Sequence, residues 1–83
     1  MSDAPDQVID ALGTWCPVPV GLLRRAVATA PAGTLIEVLA DDPLAAVDIP
    51  AWCHTAGHQV EVRQDGRRVT ARVRVSPART PLR

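Results

Sequence analysis

The run of residues 34–40 is the feature that most constrains what this chain can fold into. It reads Thr-Leu-Ile-Glu-Val-Leu-Ala and is almost continuously apolar. A short run of this kind is typical of a central strand in a sheet that helices cover. A chain of 83 residues has room for one such sheet and a couple of helices, and for no second domain. We therefore expect one small domain built around this strand.

The segments before this strand predict a shorter strand and then a helix. Residues 8–12 are a strand candidate, and residues 17–30 have helical periodicity. One apolar stripe of that helix is formed by Val20, Leu23, Val27 and Ala30. Pro-Ala-Gly at 31–33 is expected to end the helix before the central strand begins.

A second helix is expected after the central strand, with a problem in its middle. Asp42 precedes Pro43, which is a helix start signal, and Gly57 is a natural helix end. Pro50 would break a straight helix over 44–56. Either residues 43–47 form a separate turn and Asp48 caps a new helix, or one helix kinks at Pro50.

The chain ends in a predicted β-hairpin. Val60 and Val62 alternate with charged residues, and Asp65-Gly66 is a signal for a two-residue type I′ turn. After the turn the apolar positions 69, 71, 73 and 75 alternate with Arg68, Thr70, Arg72 and Arg74. One face of the sheet is therefore apolar and the other is charged.

The element order is thus βαβαββ. It predicts an α/β (α+β) two-layer sandwich, with two helices on one face of a four-stranded mixed sheet and the first two strands parallel. The domain is expected to span residues 7–75, and residues 1–6 and 76–83 are expected to be flexible termini.

Composition narrows the function classes. A 47% hydrophobic content argues against disorder, and the absence of Phe and Tyr leaves little for stacking nucleic-acid bases. Net charge is zero, but residues 1–61 carry two arginines against eight acids, and residues 62–83 carry seven arginines against one acid. The basic part could meet an acidic protein or a phosphate backbone. We favour a solvated sheet face or a protein-docking patch.

The sequence also indicates in which cellular compartment the protein is expected. No apolar run approaches the ~20 residues that span a bilayer, and the acidic N-terminus does not resemble a signal peptide. The two cysteines lie 37 positions apart and form neither a C-x-x-C pair nor a disulfide framework. We therefore expect a cytoplasmic protein with free thiols and no membrane association.

Cys16 is the residue that points to chemistry. It lies between the first strand and the first helix, in the run Gly-Thr-Trp-Cys-Pro-Val-Pro at 13–19. The start of a helix offers unpaired N–H groups and partial positive charge, which favour a thiolate. Pro17 suits the first helical position and Pro19 the first turn, and the helix is expected to become regular only after Pro19. The sequence therefore predicts that Cys16 lies on a rigid, exposed loop just before the regular part of the helix.

The other residues limit what this thiol can do. No nearby second cysteine, Ser-His-Asp set or glycine-rich phosphate loop accompanies Cys16 in the sequence. A cysteine hydrolase needs a histidine base, and a dithiol redox protein needs a resolving cysteine. A lone activated thiol suits a carrier better. Two alternatives stay open: a thiol redox or regulatory module, and a non-catalytic protein- or RNA-interaction domain with inert cysteines.

Several segments resemble a known family. Residues 10–19, Asp-Ala-Leu-Gly-Thr-Trp-Cys-Pro-Val-Pro, are similar to the D-x-x-G-x-x-C-P-x-P signature of the TusA/SirA family of sulfur carriers. The similarity continues in Gly-Thr-Leu at 33–35, Ala-Asp-Asp-Pro at 40–43 and Asp-Ile-Pro-Ala-Trp-Cys at 48–53. Val18 departs from the acidic residue that some members have there.

The resemblance implies the same two-layer sandwich and a persulfide carried on Cys16, with Gly13, Pro17 and Pro19 shaping its loop. It implies a sulfurtransferase-type relay rather than a stand-alone turnover enzyme, with no cofactor or metal. The implied partners are a cysteine desulfurase or rhodanese-type sulfur donor and an acceptor protein in tRNA thiolation, molybdenum-cofactor assembly or sulfur oxidation. We further expect a monomer that does not bind nucleic acid directly.

Five other residues that could bear on function are the second cysteine, the two histidines and the two tryptophans. Cys53 is expected to be a packing residue of the second helix. A metal site with His54 and His58 is disfavoured, because Gly57 interrupts the helix face between the two histidines. Trp15 either flanks the reactive sulfur at a docking surface or covers the core. Trp52 is expected in the core.

Overall fold

The computed structural model describes residues 4–15 and 17–77. The elements follow the predicted βαβαββ order: β1 (Gln7–Asp10), α1 (Val18–Thr29), β2 (Leu35–Ala40), α2 (Ala45–Ala56), β3 (Gln59–Asp65) and β4 (Arg68–Arg74).

The four strands form one mixed sheet in the order β1-β2-β4-β3. β1 and β2 are parallel, while β4 pairs antiparallel with both β2 and β3. Both helices pack on one face of this sheet, so the two-layer α/β sandwich is confirmed. The strand at 34–40 is central as predicted, because it pairs on both sides.

The core lies between the helices and the inner face of the sheet. Alternate residues of β2 and β4 point into it, as period-2 strands require. Its fully buried members from the sheet are Ile36, Val38, Ala40, Val69, Ala71 and Val73, and those from the helices are Pro19, Leu23, Ala45, Ile49 and Cys53. The other face of β2 carries the half-buried Glu37, so helices cover this strand on one side only.

The helical stripe of α1 faces this core as predicted. Leu23 is fully buried, and Val20, Val27 and Ala30 pack against the core cluster. The helix ends where Ala30 takes an extended conformation, just before Pro31.

Helix α2 runs without interruption through Pro50, which lies inside it. The alternative in which Asp48 caps a new helix is wrong, because the Asp48 N–H donates to the Leu44 carbonyl at 2.8 Å. Pro50 removes one helical hydrogen bond. Burial of Ile49 and Cys53 on the packed face offsets that loss. The predicted stop at Gly57 is confirmed by its φ of 89°.

The C-terminal hairpin is confirmed, but its turn differs from the prediction. Asp65 pairs with Arg68, so the two loop residues are Gly66 and Arg67. Gly66 has a φ of 63°, and within residues 4–15 and 17–77 no residue other than glycine has positive φ. Positive φ at the first loop residue alone is the pattern of a type II′ turn, not of the predicted type I′ turn at Asp65-Gly66.

In the part of the chain that the structure describes, no helix is long and apolar enough to cross a membrane.

Candidate functional site

The turn that leaves β1 is closed by its own side chains. An Asp10 carboxylate oxygen accepts a hydrogen bond from the Leu12 N–H at 3.0 Å. The Ala11 carbonyl accepts bonds from the Thr14 N–H at 3.2 Å and the Thr14 hydroxyl at 2.7 Å. Gly13 lies between them with a φ of 79°, a conformation that glycine adopts without steric cost. The Asp-x-x-Gly part of the motif is therefore a self-bonded turn.

A second contact joins this turn to the central strand. The Gly13 N–H donates to both carboxylate oxygens of Asp41, at 3.0 and 3.1 Å. Asp41 directly follows β2, and the turn directly follows β1. Because β1 and β2 are parallel neighbours, their carboxyl ends lie at the same edge of the sheet. We call this end of the sheet, where β1 ends at Asp10 and β2 ends at Ala40, the carrier edge.

Helix α1 begins at the carrier edge, immediately after the turn. The Val18 N–H donates to the Trp15 carbonyl at 2.7 Å, and the Gly21 N–H donates to the Pro17 carbonyl at 3.0 Å. Pro17 takes the N-cap position and Pro19 the second helical position. The helix therefore starts at Val18, one residue after the predicted Pro17 and before Pro19. Both prolines occupy positions where a backbone N–H is not needed.

Cys16 lies outside the described residues. The described segments on either side of it end at Trp15 and begin again at Pro17. Gly13, Pro17 and Pro19, the three predicted loop residues, all belong to these flanking segments. Pro19 is fully buried, which fixes the start of α1 against the core.

Exposed apolar side chains concentrate at the carrier edge. Trp15 is 78% exposed, Val18 44%, Leu44 56% and Val47 64%. They precede or open the two helices, and both helices follow strands that end at this edge. We call these four residues the apolar edge residues. Of the two interpretations of Trp15, the structure excludes the one in which it covers the core.

A groove of about 350 Å³ lies beside Trp15. Its lining residues are Gly13, Thr14, Trp15, Asp41, Asp42, Pro43 and Arg67. Arg67 comes from the β3–β4 turn, so a third segment of the chain reaches the carrier edge. The surface next to Cys16 in sequence thus combines an exposed indole ring with carboxylates and one guanidinium group.

Cys53 is a packing residue, as predicted. Its side chain is fully buried in α2, and burial raises the pKa of its thiol to about 11. Such a thiol is protonated at neutral pH and is a poor nucleophile. Among residues 4–15 and 17–77, no three His, Cys, Asp or Glu side chains are grouped to hold a metal ion. Trp52 packs against the core as expected, with its ring 5.5 Å from that of His58.

The arginines of β4 lie on the sheet face away from the helices. Arg72 pairs in register with Glu37 of β2 and with Glu61 of β3. Its Nε atom is 3.9 Å from a Glu37 carboxylate oxygen. At the position of Arg72 the face therefore alternates negative, positive and negative charge across three strands, and such cross-strand pairs of opposite charge stabilise a sheet.

Asp41 is the site residue that the sequence interpretation missed. The Asp-Asp-Pro segment was interpreted as a helix start and as part of the family resemblance, with no role for Asp41 itself. Asp42 does serve the helix start by accepting the Leu44 N–H at 3.0 Å. The signal for Asp41 was its position, since it is the first residue after a strand that runs parallel to β1.

Known proteins resemble this chain over most of its length. A family model described as Sulfurtransferase TusA matches residues 7–75. A sulfur carrier protein TusA from Pseudomonas putida (strain GB-1) is 43% identical over 61 residues, which cover 74% of this chain and 76% of the relative. Another, from Pseudomonas savastanoi pv. phaseolicola, is 42% identical over 59 residues, or 71% and 70% of the two chains.

A solved structure has the same fold. The crystal structure of a SirA-like protein from Desulfitobacterium hafniense matches with a TM-score of 0.75 at 28% identity, covering 84% of this chain and 97% of that one. The family model spans β1 to the end of β4, including the Asp-x-x-Gly turn and both prolines of the site. This chain therefore belongs to the TusA family.

Proposed function

We propose that this protein is a sulfur carrier that accepts sulfane sulfur as a persulfide on Cys16 and passes it to an acceptor protein. The observation that carries the proposal is the built turn between β1 and α1. The segment before Cys16 is bonded to itself and to Asp41, and the segment after it enters a helix whose first turn is packed. The names of the relatives support the same activity.

The chemistry is a pair of sulfur exchanges. The Cys16 thiolate attacks the outer sulfur of a persulfide on the donor, forming a new S–S bond. The bond between that sulfur and the donor cysteine breaks, and the donor leaves as a thiolate. Later a thiolate of the acceptor attacks the outer sulfur now on Cys16, and Cys16 leaves as a thiolate. Each step exchanges one S–S bond for another, so no net oxidant or reductant is consumed.

The start of α1 supports this chemistry. Cys16 immediately precedes the N-cap residue Pro17, next in sequence to the positive end of the α1 dipole. That end favours an anionic sulfur, whether a thiolate or a persulfide. Cys53 does not compete, because its thiol is buried and stays protonated. The two cysteines therefore have different roles, although both carry the same thiol side chain.

Protein partners dock at the carrier edge, where the described segments that flank Cys16 in the sequence lie. The apolar edge residues Trp15, Val18, Leu44 and Val47 offer a surface for docking, with Trp15 the most exposed. Exposed tryptophan is a frequent energetic anchor of protein interfaces. We assign the donor side to a cysteine desulfurase or a rhodanese-type protein. The acceptor belongs to tRNA thiolation, molybdenum-cofactor assembly or sulfur oxidation. The relay operates in the cytoplasm, with the carrier as a monomer.

The test is intact mass after incubation with a cysteine desulfurase and cysteine. The wild type is expected to gain the mass of one sulfur atom, and Cys16→Ser is expected to gain none. Cys53→Ala is the matched control, and it should load as the wild type does because Cys53 is buried away from solvent. An unmodified wild type, or a Cys16→Ser variant that still gains sulfur, would contradict the proposal.

A further inference from the structure

We propose that Asp41 is a positioning residue of the sulfur relay, which fixes the turn before Cys16 through the Gly13 N–H. This inference rests on the proposed function for its consequence in sulfur transfer. Its structural part, the fixing of the turn by a carboxylate, stands on the described contacts alone.

The contact is long-range and charge-assisted. Gly13 and Asp41 are 28 positions apart, and both carboxylate oxygens lie within 3.1 Å of the Gly13 nitrogen. A hydrogen bond to an ionised acceptor is roughly twice as strong as a neutral one. Gly13 also has a φ of 79°, which lies in the left-handed region that favours glycine. The direction of its N–H depends on this backbone conformation.

The other bonds of the turn do a different job. Those from Leu12 to Asp10 and from Thr14 to Ala11 join residues two or three positions apart. They set the shape of the turn but not its place relative to the sheet. The bond from the Ala11 N–H to the Leu39 carbonyl ties the first residue of the turn to β2, but not its apex. The Gly13–Asp41 bond therefore ties the apex of the turn to the end of β2.

Asp41 is well placed to act as an anchor. It follows Ala40, which is fully buried and pairs with Val69 of β4 in the middle of the sheet. The neighbouring Asp42 accepts the Leu44 N–H instead and so serves the start of α2. Two adjacent carboxylates thus hold the two segments that open the two helices.

Sulfur exchange between two proteins is sensitive to position. The attacking sulfur must line up with the S–S bond that breaks, and a displacement of about 1 Å can slow such a reaction by up to ~100-fold. We therefore expect Asp41→Ala to slow sulfur loading from a desulfurase by about tenfold or more. Asp41→Asn keeps an acceptor oxygen and should stay within about threefold of the wild type.

The experiment measures the initial rate of sulfur loading on wild type, Asp41→Ala, Asp41→Asn and Asp6→Ala. Asp6→Ala is the matched control, because its carboxylate accepts the Leu35 N–H at 2.9 Å, a long-range bond of the same kind at the opposite end of β2. Alkylation of the buried Cys53 is followed in each variant as an internal report of general unfolding. Amide exchange at Gly13 is followed as a readout that requires no donor.

The proposal expects slow loading in Asp41→Ala alone, unchanged protection of Cys53, and Gly13 exchange at least about tenfold faster in that variant. Three results would overturn it: Asp41→Ala loading at the wild-type rate, Asp41→Asn as slow as Asp41→Ala, or a loss of rate that tracks Cys53 exposure. A comparable loss in Asp6→Ala would likewise assign the effect to a general loss of stability. If the wild type takes up no sulfur, the proposed function fails, while Gly13 exchange still decides whether Asp41 fixes the turn.

Discussion

Gly13 and Gly21 offer a matched test of the turn before Cys16. A Cβ atom added at either position meets nothing within 4 Å. The two glycines differ in backbone conformation, since Gly13 has a φ of 79° and Gly21 lies inside α1. The same added methyl group therefore isolates the energy of the backbone conformation from any steric clash.

We expect Gly13→Ala to lower the free energy of unfolding by about 1–2 kcal/mol, the cost of placing an L-residue in the left-handed region. Gly21→Ala should raise it by about 0.5–1 kcal/mol, because alanine is the better helix former. For a domain of this size each kcal/mol shifts Tm by roughly 4–8 °C. The two variants should therefore melt on opposite sides of the wild type.

The assay is thermal and urea denaturation followed by circular dichroism, with equal m-values required so that the free energies can be compared. If Gly13→Ala is as stable as the wild type, the turn does not need a left-handed residue, and the described geometry of the site is wrong. Gly13→Asn should be intermediate, because asparagine tolerates this region better than alanine.

Two further predictions concern the surface and the buried thiol. Trp15→Ala should raise the KM for a sulfur-donating protein by about tenfold or more, as loss of an interface anchor does, while unfolding free energy changes by less than about 0.5 kcal/mol. Val8→Ala, which removes an exposed apolar side chain of β1 instead, should leave that KM unchanged. Stability should also fall as pH rises from 9.0 towards 11, because the unfolded state loses the Cys53 proton first while burial holds the folded pKa at about 11. Urea titrations at stepped pH should show this slope in the wild type and a weaker one in Cys53→Ala; equal slopes would contradict it.

Local patterns in the sequence were sufficient to predict the elements. Alternation at 69, 71, 73 and 75 predicted β4, and the stripe through Leu23 predicted α1, because each pattern reflects burial on one face. Where packing decides between local alternatives, these patterns left the choice open or placed a turn one residue away. Pro50 alone suggests a break, yet Ala45, Ile49 and Cys53 are buried on one face across it and keep α2 continuous. Likewise strand pairing places Asp65 opposite Arg68, which moves the turn by one residue.

The candidate site also has a part that the sequence predicts and a part that it does not. The Asp-x-x-Gly turn and both prolines are local features, so the sequence motif was sufficient to predict them. The bond between Gly13 and Asp41 joins residues 28 positions apart. It depends on β1 and β2 being parallel, which the element order predicted, and on the turn approaching Asp41, which no local pattern encodes. The exposure of Leu44 and Val47 was equally hidden, because apolar residues in a helical segment are ordinarily expected in the core.

The position of the transferred sulfur tests the central claim most directly. Trypsin cleaves after Arg24 and Arg25, so the two cysteines fall in different peptides, Cys16 before Arg24 and Cys53 after Arg25. After loading by a cysteine desulfurase and blocking of thiols, peptide mass spectrometry should find the extra sulfur on the Cys16 peptide. Acceptor protein added before the blocking step should remove it. Sulfur found on the Cys53 peptide, or on neither, would contradict the assignment of Cys16 as the carrier.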